Sequence, residues 1–216
     1  MLVVDLITSF RSLPRNLKAS NPHSLKAFFA MPILAPEVSL HPADLFERAA
    51  VGDETDARWW ALYSLPRREK QLMRRLHTHG LSFYAPVVPK RSRAPSGRVR
   101  VSHVPLFSGY VFMYGAGGER YAAMTSNCVS RCLEVPDGRQ LTDDLRRIQQ
   151  LIACGEPLTP EARLDAGRPV RVRSGAFLGM EGVVIRRANE TRLLVAVNFL
   201  QRGASVLLDD CQVEPL

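Results

Sequence analysis

The chain has 216 residues and a mass of 24.1 kDa, enough for one large domain or two small ones, and its 46% hydrophobic content allows an ordinary buried core. Wholesale disorder, collagen and coiled coil are excluded, and no stretch approaches the roughly 20 uninterrupted apolar residues of a membrane-spanning helix. The net charge of +8 is local: residues 56–115 hold eleven Lys/Arg against two Asp/Glu, while the flanking segments sit at −1 and 0. A nucleic acid is the natural partner of such a field, with a solvated basic face as the plainer alternative.

Residues 1–56 show no sustained period and are broken by Pro14, Pro22, Pro32, Pro36 and Pro42, so a mostly disordered extension is expected. One short helix is conceivable over Ala43–Ala50, with Leu45, Phe46 and Ala49 on one side, followed by a polar linker from Gly52. The opening MLVVDLITSF carries Asp5 and no preceding cation, the wrong polarity for a signal peptide, and a cytoplasmic protein is expected. Met31 is an alternative start.

From Arg58 the character changes. WWALYSL fits a buried strand ending before Pro66, and RREKQLMRRLHTHG fits an amphipathic helix with Leu72, Met73 and Leu76 on its apolar side and Gly80 as its cap. LSFYAPVV reads as a second strand, and RVRVSHVPLFSGYVFMY as two more, parted near Pro105 and joined to the second by the basic segment KRSRAPSGR. A short helix over Glu119–Ser126, a strand VSRCLEV, a turn PDGR and a helix LTDDLRRIQQLI with Thr142 as N-cap follow. Residues 57–155 thus read as a mixed α/β domain with a largely antiparallel sheet, and 156–166 as a linker. Residues 167–216 are all β, with five short strands that suggest a small barrel.

Cys128, Cys132, Cys154 and Cys211 fall at unpatterned spacings, so reduced thiols are expected, with no metal and no cofactor. His77 and His79 lie two apart on a helix and diverge. No phosphate loop or nucleophile motif appears, and no catalytic activity is expected.

The order WWALYS, PRREKQLMRRL, VPLFSGYVFM and GRPVRVRSGAFLGMEGVVIRR resembles the NusG-type transcription elongation factors across residues 57–216. Ser108 stands where the family usually has proline. LSFYAPVV and SHVPLFSGYVF look closer to the RfaH-like antitermination paralogues. The resemblance implies an α+β fold: a NusG-like N-terminal sandwich with an antiparallel sheet, linked to a C-terminal SH3-like β-barrel of the KOW type. It further implies that Tyr63, Phe107, Tyr110 and Phe112 dock on the clamp helices of bacterial RNA polymerase. Arg67, Arg68, Lys70, Arg74 and Arg75 would meet the nontemplate strand, and Lys90, Arg91, Arg93, Arg98 and Arg100 could reach upstream DNA. Phe199, Leu200 and Arg202 would contact a small-subunit ribosomal protein or Rho. A monomer that suppresses pausing or termination is the expected function. A KOW-containing RNA-binding or ribosome-associated protein and a Rho-linked termination cofactor are the alternatives. Within such a protein the β-branched runs of the C-terminal part predict a permanent β domain that leaves the aromatic patch open.

Overall fold

The computed structural model describes residues 37–51, 56–95, 97–208 and 212–216. The segment 1–36 with Met31, the residues Gly52–Thr55 of the first linker, and Cys211 lie outside the described residues. What is described of the expected disordered extension is ordered: strand β1 (Leu40–His41) and helix α1 (Leu45–Val51), whose Leu45, Phe46 and Ala49 are buried. Helix α1 falls within the short helix expected from Ala43, and its buried residues are the three expected on one side; β1, two residues long, is held by pairing with β3.

The chain continues through β2 (Arg58–Ser64), α2 (Glu69–Thr78), β3 (Ser82–Tyr84), β4 (Val87–Arg93), β5 (Val99–Pro105), β6 (Tyr110–Gly115), α3 (Gly117–Met124), β7 (Val129–Glu134) and α4 (Gly138–Ala153). The run LSFYAPVV, read as one strand, is two, because Pro86 breaks the ladder between β3 and β4. Five strands form an antiparallel sheet in the order β1-β3-β6-β2-β7, and β4 with β5 forms a separate hairpin.

Both faces of this sheet are covered, which is why β2 and β6 read as unbroken apolar runs. Trp60, Leu62, Val111 and Met113 pack with Leu72, Met73 and Leu76 of α2. Trp59, Ala61, Phe112 and Tyr114 pack on the opposite side with Leu141, Leu145 and Ile148 of α4. The N-cap of α4 is Asp137, which accepts from the Gln140 backbone N–H at 2.9 Å. Thr142, the expected cap, lies one turn inside, accepting from Trp59 Nε1 at 2.9 Å and donating to the Gly138 carbonyl at 2.7 Å.

Helix α2 ends as its glycine predicts. Gly80 takes φ +65°, its N–H donates to His77 O at 3.0 Å, and Leu81 N–H donates to Leu76 O at 2.9 Å. These are the two bonds of a Schellman cap, closed by apolar contact between Leu76 and Leu81.

The C-terminal part contains β8 (Thr159–Glu161), β9 (Arg168–Val172), β10 (Glu181–Arg187), β11 (Glu190–Val197), a 3-10 turn (Asn198–Leu200), β12 (Arg202–Leu207) and β13 (Val213–Pro215). They make one antiparallel sheet in the order β13-β9-β10-β11-β12-β8. Within 183–200, residues 183–187 and 190–197 are strand, joined by a turn at Ala188–Asn189, and Asn198–Leu200 form the 3-10 turn. The segment 156–166, expected as a plain linker, contributes β8, so that part of it is built into the sheet. The described residues cluster as one unit, and the core runs from Trp59 and Phe112 through α4 to Val170, Leu193 and Val195. Among the described residues no helix is long and apolar enough to cross a membrane.

Candidate functional site

The aromatic set divides. Tyr63 and Tyr110 face each other across β2 and β6, with ring centroids 5.1 Å apart in an edge-on contact. Tyr63 is 41% exposed and Tyr110 is half-buried. Gly109, at φ +84°, lies under this pair: a Cβ there would come within 2.9 Å of the Tyr63 ring. Its N–H donates to Glu69 Oε1 at 3.0 Å, which fastens the pair to the first turn of α2.

Phe107 and Phe112 do not join an exposed patch. They are 3% and 0% exposed and belong to the core against α4. Alternation does place Phe112 on the face of Tyr110, but that face passes beneath α4 two residues further along.

The basic set also divides, and Arg67 and Arg68 lie before α2 rather than on it, Arg68 as its N-cap and Arg67 in the preceding turn at φ +61°. Arg67, Lys70 and Arg74 line a groove of about 560 Å³ whose other wall is Ser102–Pro105 of β5. Arg68 instead donates to the Asn127 carbonyl at 3.1 Å. Arg75 is exposed on α2 outside the groove lining. Arg74 is partly neutralised by Glu37, with Nε 2.9 Å from Oε1. Beyond the groove, the β4–β5 hairpin carries Lys90, Arg91, Arg93 and Arg100 and no acidic residue among 87–105. The register sets Arg91 opposite Val101 and Arg93 opposite Val99, two exposed valines.

The C-terminal trio sits against the N-terminal sheet rather than in open solvent. Phe199 and Leu200 are partly buried on the shared core, and the Arg202 guanidinium lies over the Tyr110 ring, 5.6 Å from its centroid. The expected open patch is therefore half covered. A second contact holds this arrangement. Asp144 of α4, 1% exposed, accepts from the Asn198 backbone N–H at 2.8 Å and from Asn198 Nδ2 at 3.2 Å. Gln140 Nε2 adds a bond at 2.8 Å, and Arg147 stands 3.8 Å away. Burial pushes the Asp144 carboxyl up, and these hydrogen bonds and Arg147 pull the other way. The contact borders a cleft of about 210 Å³ also lined by Glu181, Val183 and Leu194.

Asp144 and Asn198 were not singled out from the sequence. An acid in the early turns of a helix reads as a dipole complement, and only its burial reveals another task. Cys128 is buried, while Cys132 and Cys154 are partly buried free thiols. Burial pushes the Cys132 thiol up, against the pull of Arg120. Among the described residues no group of three or more His, Cys, Asp or Glu is arranged to hold a metal ion.

Residues 57–143 match the NusG family model, described as transcription termination factor nusG. The matched stretch runs from the start of β2 into α4 and contains the Tyr63–Tyr110 pair, the groove and the hairpin. In this part the chain is similar to a NusG-type domain, and its helices and antiparallel strands agree with an α+β class. No curated protein matches the chain.

Proposed function

We propose that this protein is a noncatalytic, RfaH-like transcription elongation factor that rides on bacterial RNA polymerase in the cytoplasm and suppresses pausing or termination. The observation that carries the reading is the joining of a half-covered tyrosine pair to a basic groove inside the segment similar to nusG. Tyr63 and Tyr110 offer flat apolar surface with polar tips, suited to the clamp helices of the polymerase, and Phe107 and Phe112 support them from the core. Arg67, Lys70 and Arg74 face the nontemplate strand, and the hairpin arginines face upstream DNA, mainly through phosphates. A factor bridging the polymerase cleft shifts it toward the elongating conformation by its differential affinity for that state.

The C-terminal sheet acts in this reading as a KOW-type SH3-like barrel that presents Phe199, Leu200 and Arg202 to a small-subunit ribosomal protein or to Rho. Since Arg202 covers Tyr110, the C-terminal sheet leaves α4 before either surface is fully used.

The test is copurification of the tagged monomer with bacterial RNA polymerase. Tyr63→Ala is expected to weaken binding at least tenfold, the effect of losing about 2 kcal/mol at an interface hot spot. Recovery of ribosomal RNA or of Rho in place of polymerase would instead favour the RNA-binding or termination-cofactor alternatives.

A further inference from the structure

Strand β8 is an unusual strand. It has three residues, Thr-Pro-Glu, lies at the edge of the sheet, and has a proline at its centre that can donate nothing to a ladder. Its partners are set by register: Glu161 opposite Gly203, Pro160 opposite Ala204 and Thr159 opposite Ser205. Apolar packing does not hold it, because Thr159 and Pro160 are exposed. A polar cluster does. Ser205, fully buried, donates from Oγ to Glu161 Oε1 at 2.6 Å and accepts from Arg192 Nε at 2.9 Å. The same guanidinium donates to Thr159 Oγ1 at 2.8 Å, and Arg187 reaches Glu161 at 3.5 Å.

The position of β8 fixes the length of the connection between the two sheets. With β8 in place, residues 154–158 alone join the end of α4 to the C-terminal sheet: five residues, a reach of roughly 18 Å. With β8 detached, the sheet begins at β9 and the connection is residues 154–167: fourteen residues, with a reach of roughly 48 Å. A segment with little apolar burial and solvent-facing backbone lies at the low end of local stability, so it opens before the ladders that surround it.

We propose that Thr159–Glu161 is a releasable strap: docked on β12 it keeps the C-terminal sheet on a short leash beside α4, and released it lets that sheet leave. The inference rests on the tether and the α4 contact, and it holds whatever ligand the N-terminal sheet takes. Closure probability of a flexible connection falls as about the −3/2 power of its length, so lengthening from five to fourteen residues lowers the docked-to-open ratio about fivefold. The strap therefore acts on the Asn198–Asp144 contact without touching it.

The experiment is backbone hydrogen exchange followed residue by residue by NMR on the intact chain. It compares the wild type, the double variant Thr159→Ala/Glu161→Ala, and Glu161→Gln, which can still accept from Ser205. The Asn198 amide, which donates to Asp144, reports docking, and the β10–β11 amides report whether the C-terminal sheet is folded. In the double variant, protection of the amides of residues 159 and 161 is expected to vanish and that of Asn198 to drop about fivefold, with the β10–β11 ladder unchanged. Glu161→Gln is expected to stay near wild type. Loss of the strap with Asn198 protection unchanged would overturn the proposal, as would a strap equally protected in the double variant. If the ladder itself melts in the double variant, the strap is an integral strand of the sheet and the proposal fails.

Discussion

Phe112 and Tyr110 leave the same face of β6 two residues apart, yet one is sealed beneath α4 and the other reaches the surface beside Tyr63. Substitution should separate their tasks. Phe112→Ala removes a fully buried ring and is expected to cost about 3–5 kcal/mol of stability, visible as a large fall in the urea midpoint. Tyr63→Ala, at a 41% exposed position, is expected to change stability by less than about 1 kcal/mol while lowering polymerase affinity. Equal stability losses in the two variants would put Tyr63 in the core and remove it from the docking surface. The sequence signals that these rings share a face, since alternation alone does that. How far α4 extends over the face depends on packing between segments about thirty residues apart, and no local pattern encodes it.

At the level of elements, α2 is legible nearly throughout. Its apolar stripe lies in the core, its cations lie outside, and its glycine cap works as expected. Since a Cβ on Gly80 would meet nothing within 4 Å, Gly80→Ala isolates the conformational cost of φ +65°, expected at about 1 kcal/mol by thermal denaturation. A loss near zero would mean that the cap adjusts its backbone freely. The basic groove is expected to bind single-stranded DNA with a steep salt dependence, and Arg67→Ala with Lys70→Ala to lower the slope of log K against log salt by about one per cation. An unchanged slope would leave the groove as a solvated face. Less legible were β1, two residues held by pairing with β3, and β8, three residues held by a buried serine and arginine. Both are shorter than any periodic signal, and both carry or adjoin a proline, which reads as a break. The cap of α4 was misplaced for a related reason: PDGR has the composition of a free turn, and the same Asp137 that suits a turn also caps a helix.

At the scale of the molecule, the expectation of an open aromatic patch failed because it considered whether the C-terminal part was helical or β, and a β sheet can cover a surface as well as a helix can. The covering contact depends on Asp144, which gives it a testable dependence on pH. In the docked form burial raises the Asp144 pKa; in an undocked form the same carboxyl on the face of α4 meets water and keeps its ordinary value. The docked form therefore binds the proton more readily. Docking is favoured most below the ordinary carboxylate pKa, and that advantage is lost as pH rises through the raised value. Arg147 stands 3.8 Å from Asp144, and Glu181, the other acid of the cleft, is paired with Arg171 at 2.5 Å. Asp144→Asn isolates the effect: an amide oxygen still accepts from the Asn198 N–H but does not titrate, so docking is expected to be at least as tight at neutral pH and flat across the acid range. Asp144→Ala leaves the Asn198 donors without a partner and is expected to weaken docking by about 1–3 kcal/mol. The measurement is the Asn198 amide chemical shift and exchange rate from pH 7 to 4 in all three proteins. If the wild type undocks as pH falls, or if Asp144→Asn keeps the wild-type profile, another group governs the contact.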